Sequence, residues 1–320
     1  MENNNGATSV QQMQSILLRS IQIAIDSSNK ITSDSDRCHV DSQKLESNLI
    51  DTGSQVLTES EKQLIKNLCQ VVQFSRRKNP IDLNRKQDFL DPNQSKDKLK
   101  HILANFLATP VKRVVTFAQY LPDFTQLEPE DRINLLKEAT IGITISASSS
   151  LYDFKSNKFR NMISKDENIY TDSSNLDLSV MKAIWSEELF TKTIDFLKSL
   201  SELCFDEACL ALFLSIILFS SETIDHKNQE SVTNILNKYS YLLRKYMRWK
   251  MGEKGEKSYN MLLSKLPEIK YLGELHVSFI QDVDPKKIDN FLLAFVFSKK
   301  KSKLNRIVDE TQKEGIKYEL

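Results

Sequence analysis

Glycine and proline are scarce, at seven residues each in a chain of 320. So few backbone breakers exclude collagen-like and turn-dense β architectures and leave room for long helices. The four cysteines, Cys38, Cys69, Cys204 and Cys209, show neither paired C-x-x-C spacing nor a regular secreted framework. That argues against a disulfide scaffold and a four-cysteine zinc module, and for thiols in a reducing compartment. A charge bias is also missing: 44 Lys and Arg face 43 Asp and Glu, a net charge of +1. With no global electrostatic attraction to phosphate, the chain alone is not expected to bind DNA. The most apolar stretch, 208–219, is about 12 residues long, against the roughly 20 a bilayer requires, so no membrane span is expected. The first fifteen residues are polar and lack the charged-then-apolar order of a secretory leader. The four histidines, His39, His101, His226 and His276, stand far apart without partners at metal-ligand spacing. Phosphate loops, nucleophile elbows and paired-carboxylate motifs are absent too, so neither a metal site, a cofactor nor catalysis is expected.

What the chain has is apolar residues at spacings of three and four, which predicts an all-α protein with a core sized for one large or two ordinary domains. Residues 1–57 are rich in Asn, Ser, Gln and Asp and are read as mostly disordered, apart from an apolar island at 13–25 with Leu17, Ile21 and Ile25 on one helical face. Thr58 and Glu61 form a capping-box sequence, which places the start of the folded domain at 58. Helices are predicted from there to about 78, from about Leu99 to Tyr120 with a kink at Pro110, and over 131–151, 181–200, 206–220, 228–249 and 256–282, with a polar irregular stretch at 152–180. Pro122 should end the second of these helices, and Glu128, Pro129, Glu130 and Asp131 suit the start of the next, where a first-turn proline and carboxylates match free N–H groups and the helix dipole. The hydroxyl run 146–150 reads as Ser side chains bonding back to the preceding turn. The tract Lys299, Lys300, Lys301, Ser302, Lys303 reads as an import or phosphate-contacting tract or as a solvated helix end, in a basic tail at 298–320.

Residues 117–137 carry the most specific pattern. Phe117, Ala118, Pro122, Phe124, Leu127, Asp131, Leu135, Leu136 and Lys137 fall on the series F-A-x-x-x-P-x-F-x-x-L-x-x-x-D-x-x-x-L-L-K. This resembles the signature of the nuclear-receptor ligand-binding domain. The block from Asp206 to Ser220 is similar to that family's central helix, and Leu262 to His276 to its dimerisation helix, so the resemblance spans about 58–297. It implies a three-layer antiparallel helical sandwich with a small hairpin region at 152–180. A complete receptor also carries two four-cysteine zinc sites, which these cysteines cannot build; an excised fragment, a splice form and a receptor without that module all fit.

The resemblance further implies a pocket for a lipophilic ligand such as a sterol or fatty acid, lined by Leu103, Phe106, Leu107, Ile143, Ser146, Ala147 and Leu151. Ala147 stands where acid- and sterol-binding members place an arginine, so a carboxylate ligand loses its obvious anchor. A coregulator groove would be formed by Val115, Gln119, Ile133 and Lys137 with Phe295 on the last helix at 291–297. Gln119 and Phe295 replace the family's lysine and glutamate, the two charges that grip the ends of an LxxLL helix. The extreme C-terminus, 316–320, is an alternative last helix that has a glutamate. Losing a charge-assisted end contact costs about 1.5–3 kcal/mol, or roughly ten- to a hundredfold in affinity, so coactivator binding should be weak. The dimer face would be Leu262, Leu266, Ile269, Leu272 and Leu275, for a retinoid-X-receptor-like partner, and the setting the nucleus, with the cytoplasm also open. The implied function is ligand-dependent regulation of transcription, in a vitamin-D-receptor-like group. The alternative is a ligand-independent module that sequesters or represses a partner receptor.

Overall fold

The computed structural model describes residues 56–80, 94–156, 158–159, 176–204, 206–220, 228–289 and 292. Helix α1 (Glu59–Lys78) opens on the capping box: the Glu61 amide donates to Thr58 Oγ1 at 3.2 Å, and the Thr58 amide to Glu61 Oε2 at 2.7 Å. The same buried carboxylate takes Lys245 Nζ at 2.9 Å, so one side chain caps α1 and ties it to a later helix. Thr58→Ala should cost about 1 kcal/mol through the cap alone.

The next helix is two helices, α2 (Lys96–Phe106) and α3 (Ala108–Gln119). The sequence suggested one helix kinked at Pro110; the break instead falls at Leu107. Proline has no N–H to give the Phe106 carbonyl and is tolerated only in a first turn, so α3 restarts two residues upstream and leaves Pro110 there. Leu121 is extended (φ −90°, ψ 118°), as a residue before proline must be, and α4 (Pro122–Thr125) is a single turn. Helix α5 (Pro129–Ser148) follows. It ends in back-bonded serines: Ser148 Oγ donates to the Thr144 carbonyl at 2.9 Å and Ser149 Oγ to that of Ser146 at 2.8 Å.

The irregular stretch holds three two-residue strands, β1 (Tyr152–Asp153), β2 (Lys158–Phe159) and β3 (Leu176–Asp177), antiparallel in that order. Tyr152 pairs with Phe159, and Phe159 with Leu176. Helices α6 (Leu178–Ile184), α7 (Glu187–Leu203), α8 (Glu207–Phe219) and α9 (Gln229–Met251) follow. After the turn at Gly252, whose φ of 61° suits glycine, come α10 (Lys254–Leu263) and α11 (Leu266–Gln281). The single helix expected over 256–282 is therefore broken at Ser264 and Lys265. The reason again is a proline: Pro267 cannot donate to the Leu263 carbonyl and sits in the first turn of a new helix.

These elements form three layers. Helices α1 and α3 make one face; α5, α8 and α9 the middle; α7, α10 and α11 the other face. The middle of the sandwich is α8, buried on every side from Cys209 to Phe219, with its one hydroxyl, Ser215 Oγ, satisfied by the Ala211 carbonyl at 3.0 Å. Removing a large member such as Phe213 should cost about 3–5 kcal/mol. Asn105 of α2 clamps the chain after α11, donating to the Lys287 carbonyl at 2.8 Å and accepting from the Asp289 amide at 2.7 Å. Ile288 and Leu292 then return to the core. Among the described residues no helix is long and apolar enough to cross a membrane.

Candidate ligand pocket and coregulator groove

The corner α3–α4–α5 positions the site. Two of its carboxylates lock it to α9 and the residue before it: Asp123 accepts from Lys238 Nζ at 3.0 Å and Tyr239 Oη at 2.7 Å, and Asp131 from Asn228 Nδ2 at 2.7 Å. Asp123 and Asp131 are both buried, and buried carboxylates are tolerated when hydrogen-bonded this fully.

Helices α3 and α5 pack on each other, with Val115 and Gln119 one turn apart on the first and Ile133 and Lys137 one turn apart on the second. Val115 is buried, while Gln119, Ile133 and Lys137 are half-buried. Burial pushes the Lys137 ammonium below the usual lysine range, and Glu130 pulls it partly back. Phe295, the 291–297 helix apart from buried Leu292, the C-terminal alternative at 316–320, the island at 13–25 and the basic tract lie outside the described residues.

Of the residues assigned to the ligand pocket, Ile143, Ala147 and Leu151 line one half-open cavity of about 50 Å³ between α1, α3, α5 and α8. Leu103, Phe106, Leu107 and Ser146 do not. Leu103 and Phe106 are packed into the core, Leu107 is half-buried at the α2–α3 break, and Ser146 is fully buried with its hydroxyl lacking a hydrogen-bond partner. Pockets for whole lipophilic ligands are about 300–1,000 Å³, so a ligand of that size would need these side chains to move.

The cavity wall also holds residues the sequence did not flag. Arg113 of α3 donates from Nε to the Asn79 carbonyl at 2.9 Å. Burial and the neighbouring charge of Arg76 lower its pKa to about 10. Arg76 pairs with Glu207 at 3.5 Å and donates to Ser150 Oγ at 3.1 Å. Thr144 lines the same space, and its buried Oγ1 has no hydrogen-bond partner. The sequence signal was the Lys112–Arg113 pair within the mostly apolar stretch 111–118.

The assigned dimer face needs correcting. Leu262, Ile269 and Leu272 point into the protein's own core, and only Leu266 and Leu275 stay half-exposed. The cause is close packing between α11 and α5: a Cβ on Gly142 would meet Ile269 Cγ2 at 2.5 Å. Exposed on α11 are Pro267, Lys270, Tyr271, Glu274 and Ser278. His276 also faces inward. Its Nε2 lies 3.1 Å from Thr193 Oγ1, the Trp185 ring meets it edge-on at 5.0 Å, and burial lowers its pKa to about 4.

The described elements thus build an all-α three-layer sandwich with a short hairpin, whose locked α3–α4–α5 corner borders a cavity. The family described as the ligand-binding domain of nuclear hormone receptor matches residues 92–279, more than half of the chain, and the protein belongs to that family. It is 26% identical over 193 residues to nuclear receptor subfamily 1 group D member 2 of Rattus norvegicus, covering 60% of this chain and 31% of that protein. It is 24% identical over 188 residues to nuclear hormone receptor E75 of Metapenaeus ensis, covering 58% and 29%. It is also 27% identical over 201 residues to the vitamin D3 receptor of Bos taurus, covering 61% and 45%. The chain thus spans less than half the length of these relatives.

Proposed function

We propose that this domain regulates transcription by binding a lipophilic ligand, coregulator peptides along the α3–α5 edge, and a retinoid-X-receptor-like partner through the outer side of α10 and α11. The observation that carries the reading is the corner itself. Asp123 and Asp131 anchor there a pair of helices whose outer edge keeps Ile133 and Lys137 half-open. A lysine beside an apolar strip suits a short amphipathic helix, whose last carbonyls it can cap. With Gln119 in place of a second charge, coactivator affinity is weak, which favours repression or a silent heterodimer over strong ligand-driven activation. On α11, half-exposed Leu266 and Leu275 beside Tyr271 give a partner an apolar strip with a polar rim, the usual anatomy of an interface. The nucleus is the setting such a regulator needs.

The test fuses the full chain to a heterologous DNA-binding module in cells that express a partner receptor. Reporter output should depart several-fold from that of the module alone, and Ile133→Arg should return it to that level. Output indistinguishable from the module alone, with the fusion expressed and folded, would contradict the proposal.

A further inference from the structure

Helix α5 carries a cation without a partner. Among the described residues the half-buried Lys137 ammonium has neither a hydrogen bond nor an ion pair, and the charge that acts on it is that of Glu130. Ile133, one turn earlier, is half-buried as well, so an apolar step precedes the cation on a helix that packs against α3. Such a pair suits the last turn of an amphipathic helix, whose free carbonyls and dipole favour positive charge. The chain has a segment of that kind ahead of the described residues. Leu17, Ile21 and Ile25 recur every four positions, and Arg19, the one charge between Met13 and Ile25, falls on the opposite side of a helix. Asp26 follows directly and adds a carboxylate at the end that would meet Lys137.

The tether between this segment and the fold has a matching length. The chain enters the domain at buried Leu57 and the capping residue Thr58, and α1 leads from there toward the end of α3. The Phe74 ring of α1 lies 4.7 Å from that of Tyr120, the residue after Gln119. The helix from Thr58 to Phe74 measures about 24 Å, so α1 begins on the order of 30 Å from Gln119. Residues 26–55 are mostly polar, and a chain of that length and composition has an r.m.s. span of about 30 Å. Where span and separation agree, the effective concentration is roughly millimolar, enough to hold a contact whose affinity for a free peptide is only about 100 μM. We propose that residues 13–25 dock as a helix on the α3–α5 edge of their own chain, with Leu17, Ile21 and Ile25 against Val115 and Ile133, and Lys137 on the helix end and Asp26. The inference rests on the coregulator reading of that edge and adds its resident occupant, a segment that an incoming peptide has to displace.

Fluorescence polarisation of the full chain with two labelled peptides, one of residues 11–28 and one LxxLL helix, tests this. Leu17→Asp with Ile21→Asp in the protein empties the edge, so that variant should bind the 11–28 peptide about tenfold more tightly than the wild type does. Both substitutions precede the capped start of α1, so the fold is not at stake in them. Adding Ile133→Arg should abolish the gain; should that variant misfold by circular dichroism, Lys137→Glu should abolish it in its place. The LxxLL peptide should show the same unmasking. If it binds the wild type and the double variant equally, the edge still receives peptides and the docking of 13–25 is overturned. If neither peptide binds either protein, the coregulator reading and this inference fall together. Masking that fades on dilution and follows a dimer in sedimentation would make a second copy the occupant and overturn docking within one chain.

Discussion

Tyr239 donates its hydroxyl to Asp123 Oδ2 at 2.7 Å across 116 positions of chain, and the Tyr239 ring stacks on Phe219 with centroids 5.6 Å apart. One side chain thereby ties the α4 turn, the C-terminal end of α8 and the middle of α9. Burial and the Asp123 charge hold the phenol well above its ordinary pKa, so it stays a donor.

Tyr239→Phe keeps the stack and removes the donor, and should cost about 1–3 kcal/mol. Asp123→Ala strands both Lys238 and Tyr239 and should cost about 3–5 kcal/mol, as for a broken buried pair. Chemical denaturation of both variants checks the order; Tyr239→Phe equalling Asp123→Ala would remove Lys238 from the account.

The α5–α11 contact predicts a compensating pair. Gly142→Ala should destabilise by about 1–3 kcal/mol, because the new methyl meets Ile269 Cγ2, a branch fixed at Cβ that cannot swing aside. Ile269→Leu moves that branch outward, so the double variant should recover part of the loss. A thermal melt of the four proteins measures the coupling, and simple additivity would show that the helices do not touch there.

Acid should weaken the fold through His276. In the unfolded chain it titrates near 6.5 and in the fold near 4. Above the unfolded value both states are neutral and stability is unaffected. As pH falls from about 6.5 to 4 the unfolded state takes up the proton and the fold does not, so stability declines by on the order of 3 kcal/mol and then levels. His276→Gln should flatten that decline in denaturation curves at several pH values; an unchanged slope would assign the acid sensitivity elsewhere.

The signature 117–137 made the fold class and the α3–α4–α5 corner legible, since Pro122 and Pro129 act locally and a local rule suffices for them. Pro110 was visible too, but its effect was misplaced, because the chain restarts a helix upstream instead of kinking, and Pro267 does the same inside a stretch read as one continuous helix. The face of α11 was unreadable for a different reason. Leu262, Leu266, Ile269, Leu272 and Leu275 share a helical spacing that a dimer face and a core face produce alike, and only the approach of Ile269 to Gly142 separates them. Arg113 was hidden in the same way, as its partners Asn79 and Arg76 come from another helix.

The central claim is that the α3–α5 edge is a coregulator groove lacking one of its charges, and fluorescence polarisation with a labelled LxxLL peptide tests it most directly. Wild-type protein should bind weakly, Gln119→Lys should tighten binding about tenfold, and adding Lys137→Ala to it should abolish the gain, because the two lysines would cap the same end of the peptide helix. Identical affinity for all three proteins, each folded by circular dichroism, would show that peptides do not dock on this edge.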